Sequence, residues 1–198
     1  ADPTVRGPAI HEARRVSVPP VIDGRLDDAA WKAAAWTEDF GRSNVRAPVR
    51  HRTRAKLAWD DAHLYVAYEV EDDDILTPYD KDDDPMYESE VVEIFVDADG
   101  NQRTYDEIEL NPRDRLFDAR FPARRRNMDL AWSSGTRHAV QVDGTISDPS
   151  DRDRGWTAEL AIPIANLSAV PNVPPKPGDR WRINLYRLDH GVGVVEGQ

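Results

Sequence analysis

The chain has 198 residues, 39% of them apolar and 32% charged, which suits one globular domain with a core of its own. Its net charge of −11 makes nucleic acid and anionic membrane surfaces poor partners, because both need clustered cations. The absence of cysteine excludes disulfides, thiolate nucleophiles and cysteine-ligated zinc or iron–sulfur centres, and no apolar run is long enough to span a bilayer.

The chain opens "ADPTV", as a mature exported chain can after cleavage at a small residue. "VIDG" is a short apolar step ended by a turn pair. "DDAAWKAAAW" places helix formers behind an Asp cap and predicts a short helix from Asp28 to about Ala35, with Trp31 on its inner face. From there the apolar period becomes two. In "RTRAKLAWD", Thr53, Ala55, Leu57 and Trp59 alternate with Arg52, Arg54, Lys56 and Ala58. After the turn "DDAH", "LYVAYEV" alternates again, so the two runs predict an antiparallel hairpin. "VVEIFVD" and "RTYDEIELN" predict a second hairpin around Asp99-Gly100. Further strands are expected at "RLFDAR", "HAVQV", "GWTAELAIPI" and "RWRINLYRLD", with one helical turn at "PIANL" and a loop at "PNVPPKPGD".

Many short antiparallel strands separated by turns predict an all-β sandwich, immunoglobulin-like or jelly-roll-like, with a closed barrel as the alternative. Trp31, Trp59, Val66, Tyr68, Trp156, Leu160 and Trp181 fall on the apolar phases of their elements and are expected to be largely buried.

The charge is concentrated. From Glu69 to Asp99 there are fourteen Asp or Glu residues and one Lys. Hard cations take several oxygen ligands, so Asp72, Asp73, Asp74, Asp82, Asp83 and Asp84 are candidate ligands for calcium. A solvated acidic loop is the competing reading. "DADGN" reads as a hairpin turn, since its Gly is misplaced for an EF-hand. Glu93 sits in mid-strand on the phase of Val91 and Phe95, and Glu107 and Glu109 share a face on the partner strand. Opposed carboxylates in a sheet disfavour one another unless something binds them. That pattern predicts either an exposed face or a polar floor for a ligand, with Tyr87 and other aromatics as walls.

Catalytic signatures are scarce. There is no G-x-S-x-G elbow, no H-E-x-x-H and no Gly-rich phosphate loop, and the five histidines are scattered. No carboxylate pair stands out with separated acid and base roles. The chain is expected to bind without catalysing.

The segments "PVIDGRLDDAAW", "LAWDDAHLYVAYEVEDDDI", "YESEVVEIFVDADG", "GWTAELAIPIANL" and "PGDRWRINLYRLD" follow one another as in family 9 carbohydrate-binding modules, which this chain resembles from about Pro19 to Asp189. The resemblance implies a β-sandwich usually attached to secreted xylanases or found in bacterial surface proteins. It implies binding of xylan- or cellulose-class polysaccharide or its chain ends, and bound calcium. It also implies an extracellular, periplasmic or cell-surface location and a larger parent protein. In that family two Trp rings sandwich the terminal sugar. The place of the first falls at Tyr87, and the Glu of the site at Glu93. An expected Arg falls at Glu109, and an expected Gln at Tyr186, beside Arg187. Strand alternation allows only one of Tyr186 and Arg187 to face the groove. The second Trp and a closing strand would follow residue 198, so residues 1–198 are expected to form one module without that strand. Two other functions remain open here. One is a surface interaction module with no sugar ligand. The other is a haem-binding sandwich, for which Met86 and Met128 are the only methionines.

Overall fold

A computed structural model describes residues 9–41 and 49–189. Two sheets face each other. The first contains β1 (Arg14–Arg15), β2 (Thr53–Trp59), β3 (His63–Glu71), β7 (Arg137–Asp143) and β8 (Gly155–Pro163), in the order β1-β2-β3-β8-β7. The second contains β4 (Val91–Asp97), β5 (Tyr105–Leu110), β6 (Leu116–Phe121) and β9 (Arg182–Leu188), in the order β6-β5-β4-β9. The result is a β-sandwich rather than a closed barrel. Every pairing is antiparallel except β1 with β2, a parallel contact with no counterpart among the expected hairpins.

Both expected hairpins form, and their turns are held by the acids that mark them. The Asp60 carboxylate accepts the N–H groups of Ala62 and His63 and the Tyr65 hydroxyl, which fixes the β2–β3 turn. Between β4 and β5 the Asp97 carboxylate accepts the N–H groups of Asn101 and Gln102. Gly100 takes a positive φ of 70° within this turn.

The core lies between the sheets. Val66, Tyr68, Val70, Trp156 and Leu160 meet Val92, Ile94, Val96, Ile108 and Leu110 there. The second face of the five-stranded sheet is covered by the N-terminal segment. The helix α1 (Ala29–Ala33) is shorter than expected, and it lays Trp31 against Ala58, Tyr65, Ala67 and Ala161. Glu159 on β8 ties this segment down, accepting the N–H groups of Asp23 and Gly24 and the Trp31 indole N–H.

Trp31, Val66, Tyr68, Trp156 and Leu160 are buried as expected, but Trp59 and Trp181 are only partly buried. Trp59 ends β2 beside β1, where its indole N–H reaches the Ala13 carbonyl and Arg15 lies over its ring. Trp181 lies one residue before β9 and touches the core from its margin.

Candidate functional site

The outer face of the four-stranded sheet is partly covered: Met86, in the turn Met86–Glu88, packs on Val91, Phe117 and Ala119, and Tyr79 adds to that cluster. Strand period puts Glu93 and Phe95 of β4 there, with Tyr105, Glu107 and Glu109 of β5, Phe117 and Phe121 of β6, and Tyr186 of β9. The register aligns them in rows. Glu93 stands opposite Glu109 on one side and Tyr186 on the other, and Glu109 stands opposite Phe117. One oxygen from each of Glu93, Glu107 and Glu109 lies within 4.8 Å of the others.

Aromatic rings flank these acids. Tyr87, in the single turn Met86–Glu88, is 44% exposed and meets the edge of Phe117 at 5.8 Å. Tyr186 is 38% exposed and meets Phe95 at 5.7 Å, and Phe95 in turn meets Tyr105 at 5.9 Å. Tyr105 stacks on Phe121 at 4.6 Å. The face is therefore an acidic floor with exposed phenol rings at two sides.

Its electrostatics are unusual for carboxyl groups. Burial, then the charge of Glu107, pushes Glu93 up to about 7. The neighbouring pair Glu107 and Glu109 is also raised by burial, Glu109 to about 9 with the charges of Glu93 and Glu107 adding to it. Glu109 is completely buried, and neither of its oxygens has a hydrogen-bond partner. The Glu107 carboxyl pushes Glu109 further up, and the Tyr87 backbone N–H pulls it partly back. At neutral pH the cluster carries protons, so it can donate to hydroxyl groups as well as accept from them.

Tyr87, Glu93, Glu109 and Tyr186 thus come together on one face. Arg187 does not join them. It points to the opposite side of β9, where its guanidinium meets Asp72 at 2.5 Å and Glu90 at 3.3 Å. Glu90 is held up to about 9, by burial first and Asp72 second. Glu107 belongs with the floor. The alternation in "YDEIEL" already put it on the phase of Glu109, but no family contact singled it out.

The acidic run divides into two stretches with different local partners. Asp73 is engaged by Arg50, Arg152 and His51, and Asp72 by Arg187. The Asp74 N–H donates to the Asp72 carboxylate, and the Asp74 carboxyl is raised by burial and by Asp72, Asp153 and Asp73. Asp82 accepts the Leu116 N–H and Asp84 the Lys81 N–H, while Asp83 turns the chain at a positive φ of 62°. A cleft of about 590 Å³ opens over the other sheet between Arg52, Arg54, Glu69 and Gln141. It is lined by ion pairs and lacks an exposed aromatic wall, so it suits a sugar less than the aromatic face does.

Residues 22–184 match the family described as carbohydrate family 9 binding domain-like. The chain belongs to this family. The module is 30% identical over 154 residues to the exoglucanase XynX of Acetivibrio thermocellus and 34% identical over 152 residues to endo-1,4-beta-xylanase C of Paenibacillus barcinonensis. Those alignments cover 76% and 75% of this chain but only 12% of each enzyme. Among solved structures, the module resembles a family 9 carbohydrate-binding module from Caldicellulosiruptor kristjanssonii in complex with cellotriose. The TM-score is 0.62 at 20% identity, over 90% of this chain and 77% of that one. A second module from that organism, in complex with glucose, gives 0.53 at 22% identity over 78% and 70%. At such identities the likeness speaks for the fold. Among the described residues, no helix is long and apolar enough to cross a membrane.

Proposed function

We propose that the module binds xylan- or cellulose-class polysaccharide, or its chain ends, on the outer face of the four-stranded sheet, and does not cleave it. One observation carries the reading: a half-exposed Tyr87 ring, edge-on to Phe117, shares a face with three protonatable carboxyls and with the exposed Tyr186. A sugar offers an apolar C–H face and a rim of hydroxyls. A flat ring takes the first and paired carboxyl oxygens take the second. Tyr87 is the platform, Glu93 the principal hydroxyl partner and Tyr186 the opposite flank.

The same geometry argues against hydrolysis. Glycosidase carboxyls divide into a protonated acid and an ionised partner. Here all three are raised together, and Glu109 has no exposed surface from which to reach a glycosidic bond. Haem ligation has little support, since Met86 is sealed among Val91, Phe117 and Ala119. The modular coverage of the xylanase relatives supports a place within a larger exported protein.

Calcium on the acidic run fits poorly at Asp72 and Asp73, because three guanidinium groups and His51 already engage them. Asp74, Asp82, Asp83 and Asp84 are the better candidates in that run for a structural ion.

The test is calorimetric titration with xylo- and cello-oligosaccharides, alongside a reducing-end assay. The wild type binds without releasing reducing ends. Tyr87→Ala and Glu93→Gln each bind at least tenfold more weakly, about 1.4 kcal/mol. Equal binding by both variants, or cleavage abolished by Glu93→Gln, overturns the reading.

A further inference from the structure

Buried carboxyl groups in this protein are supplied with donors. Glu159 receives three N–H groups, Asp106 receives Arg120 and Ser168, and Asp118 receives the N–H and hydroxyl of Ser134. Glu90 receives the Leu76 N–H, the Trp156 indole and Arg187. The outer-face cluster departs from that pattern. Glu109 is fully buried with both oxygens unpartnered, and it faces Glu93 directly across the ladder. Glu107 converges on the same point. Among the described residues no Lys, Arg or His pairs with any of the three.

Buried acceptors without donors are costly, and like charges opposed in a sheet repel. A cation seated among the three, taking the place of their protons, answers both costs. We propose that Glu93, Glu107 and Glu109 form a binding site for a hard divalent cation of the calcium, manganese or magnesium class.

The chemistry and the spacing fit. All donors are carboxylate oxygens, with no His or Cys, which selects hard ions over zinc or copper. Oxygens that bind calcium lie about 2.3–2.6 Å from the ion, so two ligands of one ion are at most about 5 Å apart. The triad oxygens, within 4.8 Å of one another, already satisfy that limit. The site differs from the Asp72–Asp73–His51 cluster, where guanidinium groups occupy the carboxylates. It rests on the triad alone and requires no sugar. Three carboxylates leave the rest of a six- to eight-oxygen shell to be filled by water.

The experiment titrates calcium, manganese and magnesium separately into chelator-treated protein by calorimetry, without sugar. Wild-type protein binds at least one of the ions and melts at a higher temperature with it. Glu109→Gln and Glu107→Gln, which keep shape but remove charge, weaken binding at least tenfold, whereas Asp73→Asn leaves it unchanged. Independently of any variant, manganese bound to the wild type broadens amide resonances around residues 93, 107 and 109 before those around residues 72–74. Absence of binding at millimolar ion, unchanged affinity in both Glu variants, or broadening confined to residues 72–74 overturns the proposal.

Discussion

Glu93, Glu107 and Glu109 hold their protons more tightly in the folded chain than in the unfolded one. Their folded values of about 7, about 7 and about 9 exceed the ordinary 4.5. A raised carboxyl value contributes stability that is fully present below about pH 4.5 and is lost as pH rises through the folded values. Metal-free protein should therefore melt at progressively lower temperature from about pH 5 to about pH 9, and Glu109→Gln should flatten that slope. Thermal melts in chelator across this range check it, and at pH 8 the variant should be more stable by roughly 1–2 kcal/mol. A slope of opposite sign would refute the assignment of these values. The facing groups on the adjoining strands, Tyr186 on β9 and Phe117 and Ala119 on β6, bring no charge that reverses the effect. Period-two alternation showed that Glu107 and Glu109 share a face. It did not show Glu109 sealed and unpartnered, because burial depends on tertiary packing against β6 and the Met86–Glu88 turn that a strand period does not carry.

β9 separates two jobs by alternation. Tyr186 faces the candidate site and Arg187 enters the sandwich, where it pairs with Asp72 and donates to Glu90. Removing one member of a buried ion cluster strands the others, so Arg187→Ala should cost about 3–5 kcal/mol while leaving sugar affinity unchanged at temperatures where the variant stays folded. Chemical denaturation beside calorimetry checks both parts, and a selective loss of affinity would place Arg187 in the site. On the facing sheet, Gly155 pairs with Glu71 at a φ of 134°, and an added Cβ would sit 2.0 Å from the Val70 carbonyl oxygen. Gly155→Ala should destabilise by roughly 2 kcal/mol or more, read from the same denaturation curves. The alternation rule limited the groove to one of Tyr186 and Arg187. Choosing between them needed the position of β9 beside β4, since the pairing involves residues about ninety apart in sequence. The hairpins β2–β3 and β4–β5 were legible because local turn residues join them.

The whole molecule sets its two sheets to different tasks. The five-stranded sheet is covered on its second face by the N-terminal segment through Trp31 and Glu159, so that side serves stability. Trp31→Ala should cost about 3–5 kcal/mol and leave binding at the distant face intact in the remaining folded protein. The four-stranded sheet has an outer face whose Tyr87 and Tyr186 rings are exposed and whose carboxyls are largely buried. The sandwich was legible from strand spacing and turn residues. The parallel β1–β2 contact was not, because two exposed arginines carry no strand period. Sugar is expected to meet the protein on this aromatic outer face. Amide chemical-shift mapping during a cellotriose titration locates the contact. Shifts should cluster at residues 86–88, 93, 107–109 and 184–186 and saturate together. Shifts clustered instead over Arg52, Glu69 and Gln141 on the other sheet, or none at all with cello- and xylo-oligosaccharides at millimolar concentration, would contradict it.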